Sequence, residues 1–150
     1  MAQSLAKIVV HAVFSTKNRE PLLTTAIRND LFAYIVGILN SLECITLAIN
    51  GTDDHVHVLI GMSKTISLSK MMGEIKGGSS HWLNAQKMAA KHFAWQAGYG
   101  AFSVSESQIL TVIHYIETQE QHHRKMTFQD ELIALLKKHN IEFDERYLWT

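Results

Sequence analysis

A predicted β-hairpin in the middle of the chain constrains the fold more than any other feature. In residues 53–60 (DDHVHVLI), histidines and apolar residues alternate with the period of two that is typical of a half-buried strand. Residues 44–50 form a second predicted strand, and a turn that starts at Gly51 joins the two. Because side chains alternate across a strand, His55 and His57 are predicted to lie on the same face, near the start of the second strand.

This pair of histidines is a candidate metal site. Two imidazoles on one face of a strand are about 6–7 Å apart, at a rise of roughly 3.3 Å per residue, so both can reach one divalent ion. The alternative is a pair of histidines that only pack in the core. The pattern by itself does not separate the two, so the rest of the chain has to decide.

The patterns on both sides of the hairpin predict a ferredoxin-like α+β fold. Their order is strand, helix, strand, strand, helix, strand, which is the split βαβ arrangement with an antiparallel sheet and both helices on one face. Ser67 is expected to cap the second helix, and the pair Gly77 and Gly78 is expected to interrupt it, either to let the backbone approach another group closely or as a kink or a site of close helix packing. The opposite face of the sheet is expected to be open for a ligand or a partner. The predicted strands and helices that flank the hairpin are 6–16, 24–42, 67–83 and 98–104.

Additional helices follow the predicted βαββαβ core. Residues 105–108 (SESQ) match a capping box, and this third helix is predicted to run through residues 115–119. A fourth helix opens at Thr127 with an inward apolar stripe. The aromatic tail at residues 147–149 is expected to dock on its own domain or on a partner subunit.

Tyr115 and Gln119 on the third helix are candidate site residues. They are four positions apart and therefore lie one turn apart on the same side of a helix. A tyrosine with its usual pKa near 10 is a poor nucleophile at neutral pH, and a metal that polarises a phosphate would lower the barrier. Gln119 could supply an oxygen ligand to that metal. Neutral ligands leave positions free for phosphate oxygens and water, which suits Mg²⁺ or Mn²⁺. The alternative for Tyr115 is a half-buried boundary residue.

Composition bounds the class of protein. The 150 residues fit one domain, 1–150, and no apolar run reaches the length of a membrane span. Cys44 is the only cysteine, and the N-terminus lacks the layout of a signal peptide, so a cytoplasmic protein is expected. The net charge of zero argues against a simple polyanion-coating protein. Residues 55–104 nevertheless contain five lysines and only one acidic residue. These lysines either contact phosphates or simply form the solvent-exposed face of a helix.

Taken together, these motifs resemble a known family. A His-x-His pair on a ferredoxin-like strand, followed by Tyr-x-x-x-Gln on a C-terminal helix, resembles the single-tyrosine HUH transposases of small insertion sequences. The segments WQAGYGAFSVS at 95–105 and YIETQEQHH at 115–123 also look like that family. The resemblance covers nearly the whole chain, and the ordered set of motifs is far more specific than any one of them.

The resemblance implies a DNA transposase. Such enzymes bind single-stranded DNA, often at a hairpin, and their tyrosine forms a covalent 5′-phosphotyrosine link that frees a 3′-hydroxyl. His55 and His57 map onto the HUH pair, Tyr115 onto the nucleophile, and Gln119 onto the third ligand of Mg²⁺ or Mn²⁺. The family works as a homodimer, commonly with the tyrosine helix of one subunit completing the site of the other. From their positions beside Tyr115, His122 and His123 either contact DNA or assist proton transfer, or have surface or packing roles, which the sequence favours; His11 alternates with apolar positions of the first strand and is predicted to be structural.

Three other functions stay open. A domesticated relative would use the same chemistry on repeated palindromes of its host genome. A non-catalytic ferredoxin-like module would bind nucleic acid without needing a metal or Tyr115. A small metal-dependent phosphodiesterase would use water as the nucleophile. A covalent protein–DNA adduct would exclude the last two.

Overall fold

The computed structural model describes residues 2–150 and contains one four-stranded antiparallel sheet with the strand order β2-β3-β1-β4. Strand β1 lies inside the sheet and pairs with both β3 and β4. This order and the two connecting helices confirm the predicted ferredoxin-like βαββαβ arrangement. The strands are β1 (Val9–Ser15), β2 (Ile45–Gly51), β3 (His55–Gly61) and β4 (Gly100–Ser103), and the connecting helices are α1 (Thr25–Ser41) and α2 (Leu68–Gln86).

Helices α1 and α2 cover one face of the sheet and form the main core with it. Ser67 caps α2 as predicted, since its hydroxyl accepts a hydrogen bond from the Lys70 amide. The prediction that Gly77 and Gly78 interrupt this helix is wrong, because α2 runs through both. A Cβ on Gly78 would lie 2.9 Å from Ile38 Cδ1, so the close packing of α1 on α2 explains that glycine.

The other face of the sheet is covered, and the prediction of an open face is wrong. Three helices beyond the core lie over it: α3 (Ile109–Glu117), α4 (Gln119–His122) and α5 (Phe128–Lys138). The strands present apolar side chains on this face, and these side chains bury apolar residues of α3 and α5. The residues that share these two small cores are Val9, Val13, Leu59, Phe102, Ile116, Phe128, Leu132 and Leu136.

The segment that carries Tyr115 differs from the predicted single helix. Ser105 makes no capping bond with its side chain, and a 3-10 turn over Glu106–Gln108 leads into α3. Helix α3 ends at Glu117, and Gln119 begins the short helix α4. The predicted capping box therefore does not form, and Tyr115 and Gln119 belong to two helices that meet at Thr118.

The C-terminal part of the chain docks on its own sheet. Thr127 caps α5 as predicted, with its hydroxyl accepting from the Asp130 amide at 3.2 Å. After α6 (Glu145–Leu148), Leu148 and Trp149 pack against the core beneath α5, whereas Tyr147 stays exposed. This confirms docking on the same domain for two of the three tail residues. No helix among residues 2–150 is long and apolar enough to cross a membrane.

Candidate active site

The two histidines of β3 lie side by side on the sheet face that α3, α4 and α5 cover. His55 and His57 share that face as predicted, while Val56 and Val58 pack on the α1–α2 side. Both imidazoles are completely buried, and their ring centroids are 5.2 Å apart. Buried histidines need polar partners, and these partners define the site.

The partner that joins them is Glu131, which α5 inserts into the apolar face. One carboxylate oxygen, Oε1, lies 2.8 Å from His57 Nε2, 3.0 Å from His123 Nε2 and 3.4 Å from His55 Nε2. Donor atoms of these four side chains all lie within 4.8 Å of one another. Three imidazole nitrogens and one carboxylate oxygen at this spacing could hold a metal ion.

Gln119 is fully buried at the edge of this cluster. Its Oε1 lies 3.1 Å from His55 Nε2, and its amide nitrogen donates to Glu131 Oε2 at 3.3 Å. The amide oxygen therefore faces the same nitrogen that a metal would use. Gln119 and Glu131 offer two alternative oxygen atoms to an ion held by His55 and His57.

Tyr115 completes the site within the same chain. Its hydroxyl donates a hydrogen bond to Glu131 Oε2, the oxygen that also receives the Gln119 amide. The tyrosine ring stacks on His122, with centroids 4.6 Å apart, and meets the ring of His57 edge-on at 5.8 Å. The structure thus brings together all four residues that the motifs single out, around a fifth residue that the motifs leave out.

Each histidine of β3 has a second partner that orients it. His55 Nδ1 donates to Asp54 at 2.7 Å, which directs Nε2 into the cluster. His57 Nδ1 lies 2.7 Å from His11 Nε2. Because His57 Nε2–H donates to a carboxylate, its Nδ1 accepts, and His11 is the donor of that bond. Such outer partners fix the ring orientation of metal-binding histidines.

Burial and the shared carboxylate move the pKa values of the site in opposite directions. Burial alone would lower the pKa of His55, but its bonds to Asp54 and Glu131 outweigh burial and raise it to about 9. Burial lowers the pKa of His57 to about 4, although Glu131 opposes this, and burial together with His57 lowers that of His11 to about 3. In this state His55 is a cation, and the other two are neutral.

The carboxyl and the phenol are also strongly perturbed. Burial would raise the pKa of Glu131, but the hydrogen bonds from His123, His55 and His57 hold it far below its usual range. Burial and the nearby Glu131 charge raise the pKa of Tyr115 above its ordinary value. The carboxylate is therefore ionised, and the tyrosine is a neutral hydrogen-bond donor.

Two residues of the cluster were missed in the sequence. The sequence favours a surface or packing role for His123, whereas in the structure its Nε2 lies in hydrogen-bond contact with the buried carboxylate. Glu131 belongs to none of the predicted motifs, and it lies three positions after Phe128 and next to Leu132, on the inward stripe of α5. A carboxylate on the apolar stripe of a predicted helix is the signal that could have revealed it, since buried acids are rare unless paired.

Comparison with known proteins assigns the family. The chain matches the family model described as "Transposase IS200 like" over residues 4–119, which is more than half of its length. It therefore belongs to the IS200-like transposase family, and the resemblance drawn from the motifs is confirmed. Among curated proteins, none matches the chain significantly.

Two solved structures share the fold. One is a protein from Deinococcus radiodurans R1 assigned as a transposase, with 23% identity and a TM-score of 0.61 over 79% of this chain and 98% of that one. The other is a REP-associated tyrosine transposase bound to a REP hairpin, with 17% identity and a TM-score of 0.63 over 82% of this chain and 73% of that one. Identities this low support the fold alone.

Proposed function

We propose that this member of the IS200-like family cleaves and rejoins single-stranded DNA, with Tyr115 as the nucleophile. The observation that carries the proposal is the convergence of the Tyr115 hydroxyl and the His55 and His57 imidazoles on one buried carboxylate, Glu131. Phosphoryl transfer by a tyrosine requires the nucleophile and the side chains that can ligate a metal ion to lie in one cluster.

The donor set fits a divalent metal. His55 and His57 would hold it through their Nε2 atoms, with Gln119 or Glu131 as the oxygen ligand and His123 within reach. Asp54 and His11 already hold the two rings in the orientation that binding needs. When bound, the metal supplies Lewis-acid polarisation of the phosphate. Mg²⁺ prefers an all-oxygen shell and imidazole favours transition metals, so we propose Mn²⁺ ahead of Mg²⁺.

Glu131 is placed to handle the proton of the nucleophile. The Tyr115 oxygen would form a bond to phosphorus while the bond from phosphorus to the 3′ oxygen breaks. The phenol proton passes to Glu131 Oε2, its present hydrogen-bond partner, and the departing oxygen takes up a solvent proton to become a free 3′-hydroxyl. Attack of a 3′-hydroxyl on the phosphotyrosine reverses these changes and rejoins DNA without ATP.

The substrate and the assembly form part of the same proposal. A tyrosine transposase of similar fold was solved with a REP hairpin, which supports a single-stranded substrate with a hairpin for this chain. A domesticated role on repeated palindromes would use the same site. We also propose a homodimer, in which Tyr115 lies in the site of its own chain, and sedimentation would measure the oligomeric state. We also propose that residues 1–150 act as one domain in the cytoplasm.

A covalent-adduct assay tests the chemistry. The protein would be incubated with Mn²⁺ or Mg²⁺ and labelled single strands from the DNA beside its own gene, then run on a denaturing gel. Tyr115→Phe and His57→Ala should abolish the slow band. Tyr147→Phe and His114→Ala, which alter exposed residues outside the cluster, should retain it.

The alternative functions give different patterns in this assay. A phosphodiesterase would cut the strand without an adduct, and its Tyr115→Phe variant would stay active. A non-catalytic binding module would retain the hairpin in a native gel regardless of metal and would leave every strand uncut. Either pattern would overturn the proposal.

A further inference from the structure

A cleft of about 430 Å³ opens beside Tyr115, between α3 and the C-terminal half of α5. Its volume lies within the range of about 300–1,000 Å³ that is usual for small-ligand pockets. Tyr115 and His11 line it, and they also belong to the candidate active site. Whatever occupies the cleft therefore lies next to the phosphate that Tyr115 would attack.

The lining of this cleft suits a nucleotide. Among the described residues, none that lines it carries a carboxylate, and Lys138 provides a cation. Gln108 and Thr111 add polar groups that can pair with a base edge, and the apolar side chains Val112 and Leu135 can contact its faces. A cleft lined by one lysine and no carboxylate matches an unpaired base that is followed by a phosphate.

A second cleft, at the N-terminal end of α5, is a weaker candidate. It is larger, about 1070 Å³, and Asp53, Asp54, Glu120 and Asp130 line it together with basic residues. One of those cations, Arg28, is already paired with Glu120 at 3.3 Å. Carboxylates repel a phosphate backbone, so charge favours the smaller cleft for the nucleotide that flanks the cleavage point.

One wall of the smaller cleft is the imidazole of His139, which an aromatic neighbour holds in place. The imidazole of His139 stacks on Phe102, with centroids 4.4 Å apart and planes inclined by 24°. His139 Nδ1 donates to the Leu135 carbonyl at 2.9 Å, so in the neutral ring Nε2 is left as an acceptor. The ring is thus fixed in place beside the cleft before any ligand arrives, which lowers the entropic cost of binding.

We propose that this cleft receives one unpaired nucleobase adjacent to the phosphate attacked by Tyr115, with Lys138 contacting the neighbouring backbone phosphate. The inference rests on the proposed function and adds to it a site of base recognition. A base can enter such a slot only when it is out of a duplex stack. The cleft would therefore restrict cleavage to single-stranded positions and make it sensitive to the base at one of them.

An abasic scan tests this proposal by binding alone. Hairpin oligonucleotides with single-stranded flanks from the DNA beside the gene would each carry one abasic site, and their affinity for the Tyr115→Phe variant would be measured by fluorescence anisotropy. Loss of one stacked base should weaken binding about five- to 150-fold at one position near the cleavage point. Equal affinity at every flanking position would overturn the proposal.

Two matched pairs of variants locate the effect. Thr111→Phe, which fills the cleft, should remove the penalty of the abasic site, whereas Leu110→Phe on the exposed side of α3 should leave it intact. Lys138→Ala should make the negative slope of log affinity against log salt concentration shallower by about 0.7. Lys137→Ala, outside the cleft lining, should leave this slope unchanged. An undiminished penalty in Thr111→Phe would place the base elsewhere.

The adduct assay separates this proposal from the function on which it rests. If the wild type forms the adduct but no abasic position matters, the cleft proposal fails alone. If no flanking strand is bound or cut, both fail.

Discussion

Replacing Glu131 by Gln should change how the stability of the metal-free protein depends on pH. His55 has a folded-state pKa of about 9, against about 6.5 for a solvent-exposed histidine, because the carboxylates of Asp54 and Glu131 outweigh the effect of burial. A raised pKa contributes stability that is fully present below pH 6.5 and is lost as the pH rises through 9. A difference of this size corresponds to about 3 kcal/mol.

Removing the Glu131 charge should eliminate part of that contribution. Since Asp54 keeps its own bond to His55, we expect roughly half of the loss of stability between pH 7 and pH 10 to disappear in Glu131→Gln. Other groups, including Lys76, whose pKa burial lowers to about 8, titrate in the same interval. The quantity to compare is therefore the difference between the wild type and the variant.

Urea denaturation in the presence of a chelator, at several pH values, measures this difference. Glu142→Gln removes an exposed carboxylate after α5 and should reproduce the wild-type curve. If Glu131→Gln also followed the wild-type pH dependence, Glu131 would not interact with a protonated His55, and the electrostatic description of the cluster would be refuted.

Three further predictions concern other parts of the molecule. His11 has a pKa lowered to about 3, so its own contribution to stability should fall by about 2 kcal/mol between pH 8 and pH 5 as the unfolded chain takes up the proton. His55 and His57 also change stability in this interval, so urea titrations compare the wild type with His11→Asn, which should lack the His11 part; an identical pH dependence would contradict the burial of His11. Binding of Mn²⁺ requires His55 to lose its proton, so the affinity for Mn²⁺ should rise about tenfold from pH 7 to pH 8. Calorimetry would measure this affinity, which should vanish in His57→Ala. An affinity independent of pH would contradict ligation by His55. Gly77→Ala, where a Cβ meets open space, should stabilise the protein by about 1 kcal/mol, and Gly78→Ala by less because Ile38 lies in contact; equal gains in chemical denaturation would contradict that packing.

The parts of the fold that follow local patterns could be predicted from the sequence. The alternation around His55 and His57 identifies β3 and the shared face of the two rings, and the order of strands and helices identifies the ferredoxin-like core. The same applies to the caps at Ser67 and Thr127, because a capping bond joins residues three positions apart. Each of these features depends on residues that are neighbours in the chain.

The features that were missed depend on long-range docking. Whether α5 covers the sheet face is decided by its packing against β1 and β4, far away in the sequence, and periodicity does not encode that contact. Glu131 and His123 join the site only through this docking. The helix break at Thr118 likewise allows the Gln119 side chain to turn into the cluster. The spacing of Tyr115 and Gln119 predicts one continuous helix and does not reveal this break.

The apolar face explains why a covering helix is needed at all. Val13 and Phe102 would stay in contact with water without α5, and their burial by Leu132 offsets the cost of placing a carboxylate beside them. That cost is small here because Glu131 receives hydrogen bonds at both oxygens. The cluster is thus compatible with a stable core.

The most direct test of the central claim is to identify the residue that becomes linked to DNA. After incubation with Mn²⁺ and a single strand from the flanking DNA, nuclease and protease digestion followed by mass spectrometry would locate the attached nucleotide. We expect a 5′-phosphonucleotide on the peptide that contains Tyr115, and no modified peptide from His57→Ala. A nucleotide on another residue, or a cleaved strand with an unmodified Tyr115, would contradict the central claim.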